Sequence, residues 1–445
     1  MPSAGEPAAT ATLPLLPTTV VGSHGLPGWL HVARAAVARG EFGPTDLEEL
    51  YADATQLAIL DQERAGVDVP SDGEMRRLHF VQGFYGRLHG LEPLPAARKL
   101  GAPGYDMVPQ YRAVERITLR PRAEQDPSAS SPSTGAALAP PAGSPSLPSE
   151  QALRLDSELA PSAGSGQALS AAKGPAGQAI ARLPQAGGLG IVEEYTFART
   201  LTDRPLKVTC PGPLMLALQI QPDGAPYRDR FEIAADLAGL INAELHRCAD
   251  AGARIVQLDD PSFSFHRSGV DAVLAPVAAA AAGDVPAAEP PPAGELAHLY
   301  NAAVAGLRER GVKLLLHLCF GNFHARPRTA RSYRTLFPGV LEARCDQFVL
   351  EFAGRELAEI DLWREYAIDR ELGAGVVDVK AFYPETAAQA AARIRQILQY
   401  VPAEKLWLNP DCGFNHSARW VCAAKLTALV AGTRLVRAEL GVEPK

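Results

Sequence analysis

Four residues that favour the same kind of metal ion lie far apart in the chain, each at or just after the end of an apolar run. His317 and Cys319 end the run LLLHLC, Glu351 follows QFVL, and Cys412 follows WLNPD. A His and a Cys at positions i and i+2 of a strand point to the same face. Two thiolates, one imidazole and one carboxylate form a tetrahedral donor set that suits zinc. We therefore predict that these four residues bind Zn²⁺.

Each of these residues also has an ordinary structural explanation. A single buried cysteine is often an inert apolar side chain, and a single core histidine can be bonded to the backbone. Glu351 fits that explanation less well, because a carboxylate at the end of a buried strand needs a partner. A structural zinc site usually clusters its ligands in close Cys pairs, and these four residues are not spaced in that way. The combination therefore favours a catalytic zinc site.

A zinc ion with two sulfur ligands is electron-rich, so it generates hydroxide poorly but holds a further thiolate well. A thiol that binds such an ion loses its proton and stays nucleophilic at neutral pH. We therefore predict an enzyme that transfers an alkyl group to the sulfur of a thiol substrate, and not a hydrolase.

Two further carboxylates end apolar runs, Glu74 in SDGEMRR and Asp259 in QLDDPSF. These carboxylates could have a purely structural role, either in hydrogen bonds at the open end of the predicted fold or as caps of a helix N-terminus. As binding residues they would pair with a ligand ammonium group, and the backbone and hydroxyl at Gly22 and Ser23 could hold a ligand carboxylate. A thiol that is also an amino acid fits both groups.

Eight apolar runs predict strands, with amphipathic helical stretches between them. The strand candidates are 18–24, 67–74, 206–212, 254–260, 312–319, 347–352, 374–380 and 405–412. Near-continuous Val, Ile and Leu runs are typical of parallel strands buried on both faces. We therefore predict an α/β fold of the (β/α)8 or TIM-barrel type, whose strands bring their carboxyl ends together on one rim. An open doubly wound sheet is the alternative, but no glycine-rich phosphate loop follows the first strand.

The domain organisation follows from one compositional change. Residues 122–188 are dominated by Ala, Pro, Ser and Gly and cannot bury enough apolar surface to offset the entropy of ordering. We predict a single barrel over 18–440 that this disordered insertion interrupts, preceded by a flexible N terminus over 1–17.

Composition limits which cellular locations and which classes of partner we expect for this protein. The 445 residues carry a net charge of -7 without a basic cluster, so we expect no nucleic-acid partner. The longest apolar stretch is too short to span a bilayer, so we expect no membrane association. The N terminus lacks the pattern of a signal peptide, and the six cysteines lack a disulfide-scaffold spacing. We predict a cytoplasmic protein whose partners are small molecules, a thiol and an alkyl donor; the oligomeric state stays open.

Several short motifs then occur in a specific order. TTVVGSHG, VPSDGEMRR, CPGP, VQLDDPSF, LHLCFGN, VLEFAGRE, GVVDVK and LNPDCGF together resemble the catalytic barrel of cobalamin-independent methionine synthase and its single-barrel relatives. The resemblance runs from Thr18 to about Leu440, apart from the insertion. It implies zinc on the four residues named above and methyl transfer to the sulfur of homocysteine, giving methionine. The residues it implies for homocysteine binding are Val21, Gly22, Ser23, Glu74 and Asp259.

The chain departs from that family pattern in three places. Lys380 stands in GVVDVK where the family has a histidine that donates a proton, so we expect Lys380 to be the catalytic residue there. The family's folate-stacking tryptophan has no counterpart in GPLMLALQIQ, residues 212–221, which leaves folate, a methylated corrinoid or another alkyl donor open. The motifs beginning at Thr18 leave no room for the second, N-terminal barrel of the full-length enzymes.

Two alternative functions remain. Lys380 with Arg76 and Arg77 could bind a sulfonate, as in zinc enzymes of the epoxyalkane:coenzyme M transferase type. The second alternative is a scaffold protein that has lost catalysis and uses the insertion as a tether. The intact metal ligands argue against this alternative.

Overall fold

The computed structural model describes part of the chain in seven ranges. These are 13–77, 80–98, 107–121, 187–265, 293–322, 331–415 and 417–442. Residues 1–12 of the predicted flexible N terminus and 122–186 of the predicted insertion lie outside them.

Helices and strands alternate through most of the described chain. The helices are α1 (Gly28–Ala38), α2 (Pro44–Ala65), α3 (Gln82–Tyr85), α4 (Ile191–Arg199), α5 (Pro213–Ala217), α6 (Arg230–Asp250), α7 (Ser262–Phe265), α8 (Ala293–Ala303), α9 (Leu362–Glu365), α10 (Ala387–Ile397) and α11 (Arg419–Glu439). The strands are β1 (Leu88–Arg98), β2 (Met107–Leu119), β3 (Lys207–Pro211), β4 (Ile220–Pro222), β5 (Ile255–Asp259), β6 (Lys313–Leu318), β7 (Gln347–Leu350), β8 (Glu371–Val377) and β9 (Leu406–Pro410). Short 3₁₀ helices span Arg308–Arg310, Gly339–Glu342, Ala353–Arg355 and Ala403–Lys405.

The central sheet contains six parallel strands in the order β3-β5-β6-β7-β8-β9. Nearly every residue of these strands is buried, as expected for parallel strands with both faces covered. The predicted α/β class with a parallel sheet is therefore confirmed. The strands assigned to this sheet in the described ranges do not close into a ring.

The first two expected strands, 18–24 and 67–74, are reduced to isolated bridges. Thr18 bridges Leu408 of β9 in parallel, and Thr19 bridges Val69. The Thr18 N–H donates to the carboxylate of Asp68 at 2.8 Å instead of to a neighbouring strand. Since Pro70 has no N–H to donate, the ladder is interrupted there as well. The prediction of two full strands in these segments was therefore wrong.

A second, three-stranded sheet was not predicted. The strands β1 and β2 form an antiparallel hairpin, and β4 pairs with β2 in parallel. Prolines at 93, 95 and 109 obscure the strand pattern in the sequence, because proline cannot donate to a ladder.

The last long helix contacts the described start of the chain. Leu16 is fully buried, and the guanidinium of Arg437 in α11 donates to the carbonyl oxygens of Leu15 at 2.7 Å and Leu16 at 3.0 Å. Residues 13–17 therefore pack against α11. None of the described helices combines the length and the apolar character that crossing a membrane requires.

A small apolar layer lies inside the sheet and positions the polar residues beyond it. Its members are Val21, Val69, Ile255, Leu315, Val349 and Trp407. Residues two positions further along a strand point to the same face, so Gln257, His317 and Glu351 follow directly from this layer. The alternation of side chains thus sets which polar groups face inward at the ends of the strands.

Candidate active site

Three of the four predicted metal ligands come together. One donor atom each of His317, Cys319 and Cys412 lies within 4.8 Å of the others. The two sulfur atoms are 3.6 Å apart. Tetrahedral zinc with sulfur at about 2.3 Å places two sulfurs roughly 3.8 Å from each other, so the spacing fits such an ion.

The imidazole of His317 is oriented for coordination. Its Nδ1 lies 3.0 Å from the carbonyl oxygen of Val349, and because a carbonyl only accepts, Nδ1 carries the proton. The buried Nε2 has no nitrogen or oxygen partner within the described ranges, and it interacts with the sulfur of Cys412. The hydrogen bond from Nδ1 to a backbone carbonyl leaves the lone pair on Nε2, and this is the usual state of a metal-binding histidine.

The two cysteines differ in acidity. The hydrogen bond from Cys319 lowers the pKa of Cys412 well below its usual value, and His317 adds to this effect against the opposing effect of burial. The same hydrogen bond, together with burial, raises the pKa of Cys319 well above its usual value. Cys412 is therefore the more acidic cysteine of the pair.

Glu351 lies next to this cluster and contacts Lys380. The Glu351 carboxylate is fully buried, and its Oε2 is 2.8 Å from Lys380 Nζ. Its other oxygen, Oε1, has no partner in the described part of the chain. Burial alone would lower the pKa of Lys380, but the negative charges of Glu351 and Cys412 outweigh it, and the pKa is raised above its usual value.

The predicted ammonium-binding carboxylates lie beside the cysteine and histidine cluster. Asp259 pairs in register with His317 on the neighbouring strand. Burial raises the pKa of Asp259 to about 7, with His317 opposing that shift. Glu74 accepts hydrogen bonds from Thr209 Oγ1 at 2.8 Å and Arg77 Nη1 at 3.1 Å. Burial raises the pKa of Glu74 as well, with Arg77 opposing the shift.

The Val21–Ser23 segment reaches both sides of the site. A Cβ atom at Gly22 would lie 2.6 Å from Glu74 Oε1, so this close approach requires glycine. The carbonyl oxygen of Ser23 accepts from the Phe414 N–H at 2.8 Å, in the loop that carries Cys412. The structure therefore brings this segment between Glu74 and one of the cysteines.

The arginines considered for a sulfonate are engaged with carboxylates. Arg77 is buried, and its guanidinium pairs with Glu194 at 2.8 Å and also with Glu74. Arg76 pairs with Glu48 at 2.7 Å. Neither arginine begins a helix, and Arg77 lies inside the fold.

Sequence reasoning missed three buried polar residues around the site. Lys207 and Gln257 are bonded to each other at 2.6 Å beneath Asp259, and burial lowers the pKa of Lys207 to about 7. Asp411 accepts hydrogen bonds from three backbone amides that follow Glu351. These residues could have been found from the sequence, because each is a charged or amide side chain within an apolar run, as in LKVT, IVQLD and LNPD. A polar side chain in a buried strand requires a hydrogen-bond partner.

Comparison with known proteins extends these observations. The family model described as "Cobalamin-independent synthase, Catalytic domain" matches residues 16–97 and 185–434. The methionine synthase of Saccharolobus solfataricus is 30% identical over 434 residues, covering 96% of this chain and 97% of that protein. That of Sulfurisphaera tokodaii is 28% identical over 429 residues, covering 96% and 94%.

Two solved structures share the fold. A B12-independent methionine synthase from Shewanella sp. W3-18-1, in complex with selenomethionine, superposes with a TM-score of 0.63 at 22% identity, covering 96% of this chain and 99% of that one. A putative vitamin-B12-independent methionine synthase from Listeria monocytogenes gives a TM-score of 0.57 at 20% identity, with the same coverage.

The fold and the site together define a methyltransferase that acts on a thiol. Within that class, the chain belongs to the family of cobalamin-independent methionine synthases, through their catalytic domain. The resemblance seen in the sequence motifs is therefore confirmed.

Proposed function

We propose that this chain transfers a methyl group to the sulfur of homocysteine at a zinc ion bound by His317, Cys319, Glu351 and Cys412. One observation carries the proposal, namely the register pairing of Asp259 with His317 beside two sulfurs 3.6 Å apart. It supports the proposal because a carboxylate that would bind the ammonium group lies next to residues that would bind a thiol-activating metal.

The unpartnered atoms support the ligand set. His317 Nε2 and Glu351 Oε1 are both buried and lack a nitrogen or oxygen partner in the described ranges, and unsatisfied buried groups of this kind need an explanation. A bound zinc ion would satisfy both of them, and it would lower the pKa of a substrate thiol so that the sulfur is nucleophilic at neutral pH.

The chain's own residues would hold the rest of the amino acid. Asp259 Oδ2 has no partner among the described residues and would accept from the ammonium group, together with Glu74. The backbone of Val21 and Gly22 and the hydroxyl of Ser23 would hold the carboxylate. Buried carboxylates with raised pKa values bind such a cation favourably, because the cation stabilises their charged form.

Lys380 remains our candidate for the catalytic residue at the family's histidine position. In the structure its ammonium compensates the charge of Glu351, and its raised pKa means that it holds its proton at neutral pH. Lys380 would therefore act as a fixed positive charge or as a proton donor to the departing alkyl carrier.

The coenzyme M-type alternative has less support. A sulfonate needs cations that are free to bind it, whereas Arg76, Arg77 and Lys380 are each paired with a carboxylate. The donor of the methyl group stays open between folate, corrinoid and other carriers.

We further propose that the sheet is completed as a (β/α)8 barrel through the two N-terminal segments. The bridges Thr18–Leu408 and Thr19–Val69 support this, as does the hydrogen bond from the Lys207 N–H to the Pro70 carbonyl at 2.9 Å. These contacts would join β9 to β3 through two short segments. The cytoplasmic location remains a prediction.

The test combines metal content with thiol binding. Purified protein is expected to hold about one zinc per chain by elemental analysis and to bind homocysteine in calorimetric titration. Cys412→Ser should lose both. Cys422→Ser is the matched control, since the Cys422 thiol donates to the backbone carbonyls of Ser417 and Ala418 and a hydroxyl can replace it. Full zinc occupancy in Cys412→Ser would contradict the proposed ligand set.

A further inference from the structure

A buried glutamine lies directly behind the carboxylate that is proposed to bind the substrate ammonium. Gln257 Nε2 donates to Asp259 Oδ1 at 2.6 Å and to the carbonyl oxygen of Val21 at 2.7 Å. Gln257 Oε1 accepts from Lys207 Nζ at 2.6 Å. The side chains of Gln257, Asp259 and Lys207 are all buried.

These contacts determine which way the amide of Gln257 faces. The Val21 carbonyl can only accept, so the amide must present its NH₂ group to it, and the same NH₂ group then faces Asp259 Oδ1. Its oxygen then faces Lys207, whose ammonium also donates to the carbonyl of Val20. The arrangement uses both amide protons and the amide oxygen, and it leaves no alternative orientation with equal hydrogen bonding.

The consequence is a carboxylate with one oxygen bonded and the other without a partner in the described part of the chain. Asp259 Oδ1 is held by Gln257, so the unpartnered Oδ2 is the oxygen left for a ligand. The same amide holds the carbonyl of Val21, in the segment proposed to contact the ligand carboxylate. One side chain therefore connects the two parts of the site that would recognise an α-amino acid.

We propose that Gln257, itself fixed by Lys207, is a positioning residue that makes the site selective for thiols carrying an ammonium group. This inference rests on the proposed function, because it assigns the orientation of a carboxylate whose ligand is the substrate ammonium. The three hydrogen bonds described for Gln257 involve Lys207, Val21 and Asp259, and none of these is a proposed metal ligand.

The experiment compares two thiols that differ in one group. Homocysteine and 4-mercaptobutyrate share the thiol, the chain length and the carboxylate, and only homocysteine carries the amino group. The dissociation constant of each is measured by calorimetry on the zinc-loaded protein, with zinc content determined on the same samples. Gln257→Leu removes all three hydrogen bonds at similar volume.

We expect Gln257→Leu to weaken homocysteine binding by about tenfold, the size of a lost hydrogen bond to a charged group. Binding of 4-mercaptobutyrate and zinc content should stay within about twofold of the wild type. Lys207→Met should also weaken homocysteine binding selectively, but by a smaller factor. In that variant the Gln257 amide loses its fixed orientation but keeps its N–H donors. Gln347→Leu is the matched control, since Gln347 is a buried glutamine of β7 that bonds Glu371 instead of the site.

Three outcomes would overturn the inference. One is equal weakening of both thiols, which indicates a general structural role, and another is unchanged binding of homocysteine. If Gln257→Leu does not fold, Lys207→Met decides alone, and unchanged selectivity in that variant is the third. Failure of the proposed function is a separate result, because wild-type protein would then not distinguish the two thiols at all.

Discussion

The carboxylate of Asp411 accepts a hydrogen bond from the backbone N–H of Gly354 at 2.6 Å, between residues 57 positions apart in the chain. It also accepts from the amides of Phe352 at 2.9 Å and Ala353 at 2.7 Å. These amides directly follow Glu351, and Asp411 directly precedes Cys412. One carboxylate therefore connects the ends of β7 and β9, each of which carries a proposed zinc ligand.

Replacing Asp411 should weaken metal binding although Asp411 is not itself a proposed zinc ligand. We expect Asp411→Ala to lower zinc affinity by about 10- to 100-fold, the usual effect of removing a group that orients ligands. Competition with a chromophoric chelator measures this. Asp411→Asn keeps one acceptor oxygen and should lose less. An unchanged affinity in Asp411→Ala would show that the loops hold the ligands without it.

Substituting Gly22 should impair the substrate site and spare the metal site. In Gly22→Ala the new Cβ would lie 2.6 Å from Glu74 Oε1, so the carboxylate must move. We expect weaker homocysteine binding, a stability loss of about 1–3 kcal/mol and normal zinc content. Gly239→Ala is the control, because its Cβ enters open space on α6. Normal homocysteine binding in Gly22→Ala would argue against a role for Glu74.

Removing Lys380 should increase the dependence of stability on zinc. In zinc-free protein, Lys380→Met leaves the buried carboxylate of Glu351 without its partner, at a cost of up to about 3–5 kcal/mol. A bound cation would compensate that charge, so zinc should raise the melting temperature more in Lys380→Met than in the wild type. The extra gain should vanish in the double variant with Glu351→Gln. If it persists there, Glu351 is not a ligand.

The two cysteines of the zinc-free protein should react at different rates. The lowered pKa of Cys412 favours its thiolate form, whereas the raised pKa of Cys319 favours its thiol form, and the thiolate is the nucleophile. Limiting iodoacetamide should therefore label Cys412 first, as read by peptide mass spectrometry, and zinc should protect it. Preferential labelling of Cys319 would contradict this assignment of the proton.

The sequence was sufficient to predict that the candidate site lies at the ends of the strands. Strand alternation places His317 two residues beyond Leu315 and Glu351 two beyond Val349, so an apolar pattern predicts which polar side chains face inward. The motif order then identified the family. Both depend on local spacing, which a single sequence contains.

What the sequence did not show depends on contacts across the fold. The pairing of Lys380 with Glu351 and the amide contacts of Asp411 join residues from different strands, and no local pattern encodes such a partner. The hairpin of β1 and β2 was missed for another reason, since Pro93 and Pro95 suggest a loop although tertiary pairing keeps them in a strand.

The register of β5 against β6 has a further consequence for substrate size. Asp259 and His317 are partners on adjacent strands, and strands in a sheet are separated by about 4.8 Å. The proposed sites for the amine and the sulfur are thus separated by the distance between two adjacent strands. A substitution that changes a side chain leaves this backbone spacing intact. We therefore expect the hydrogen-bond ladder between these two strands to set the length of the carbon chain that fits between amine and thiol.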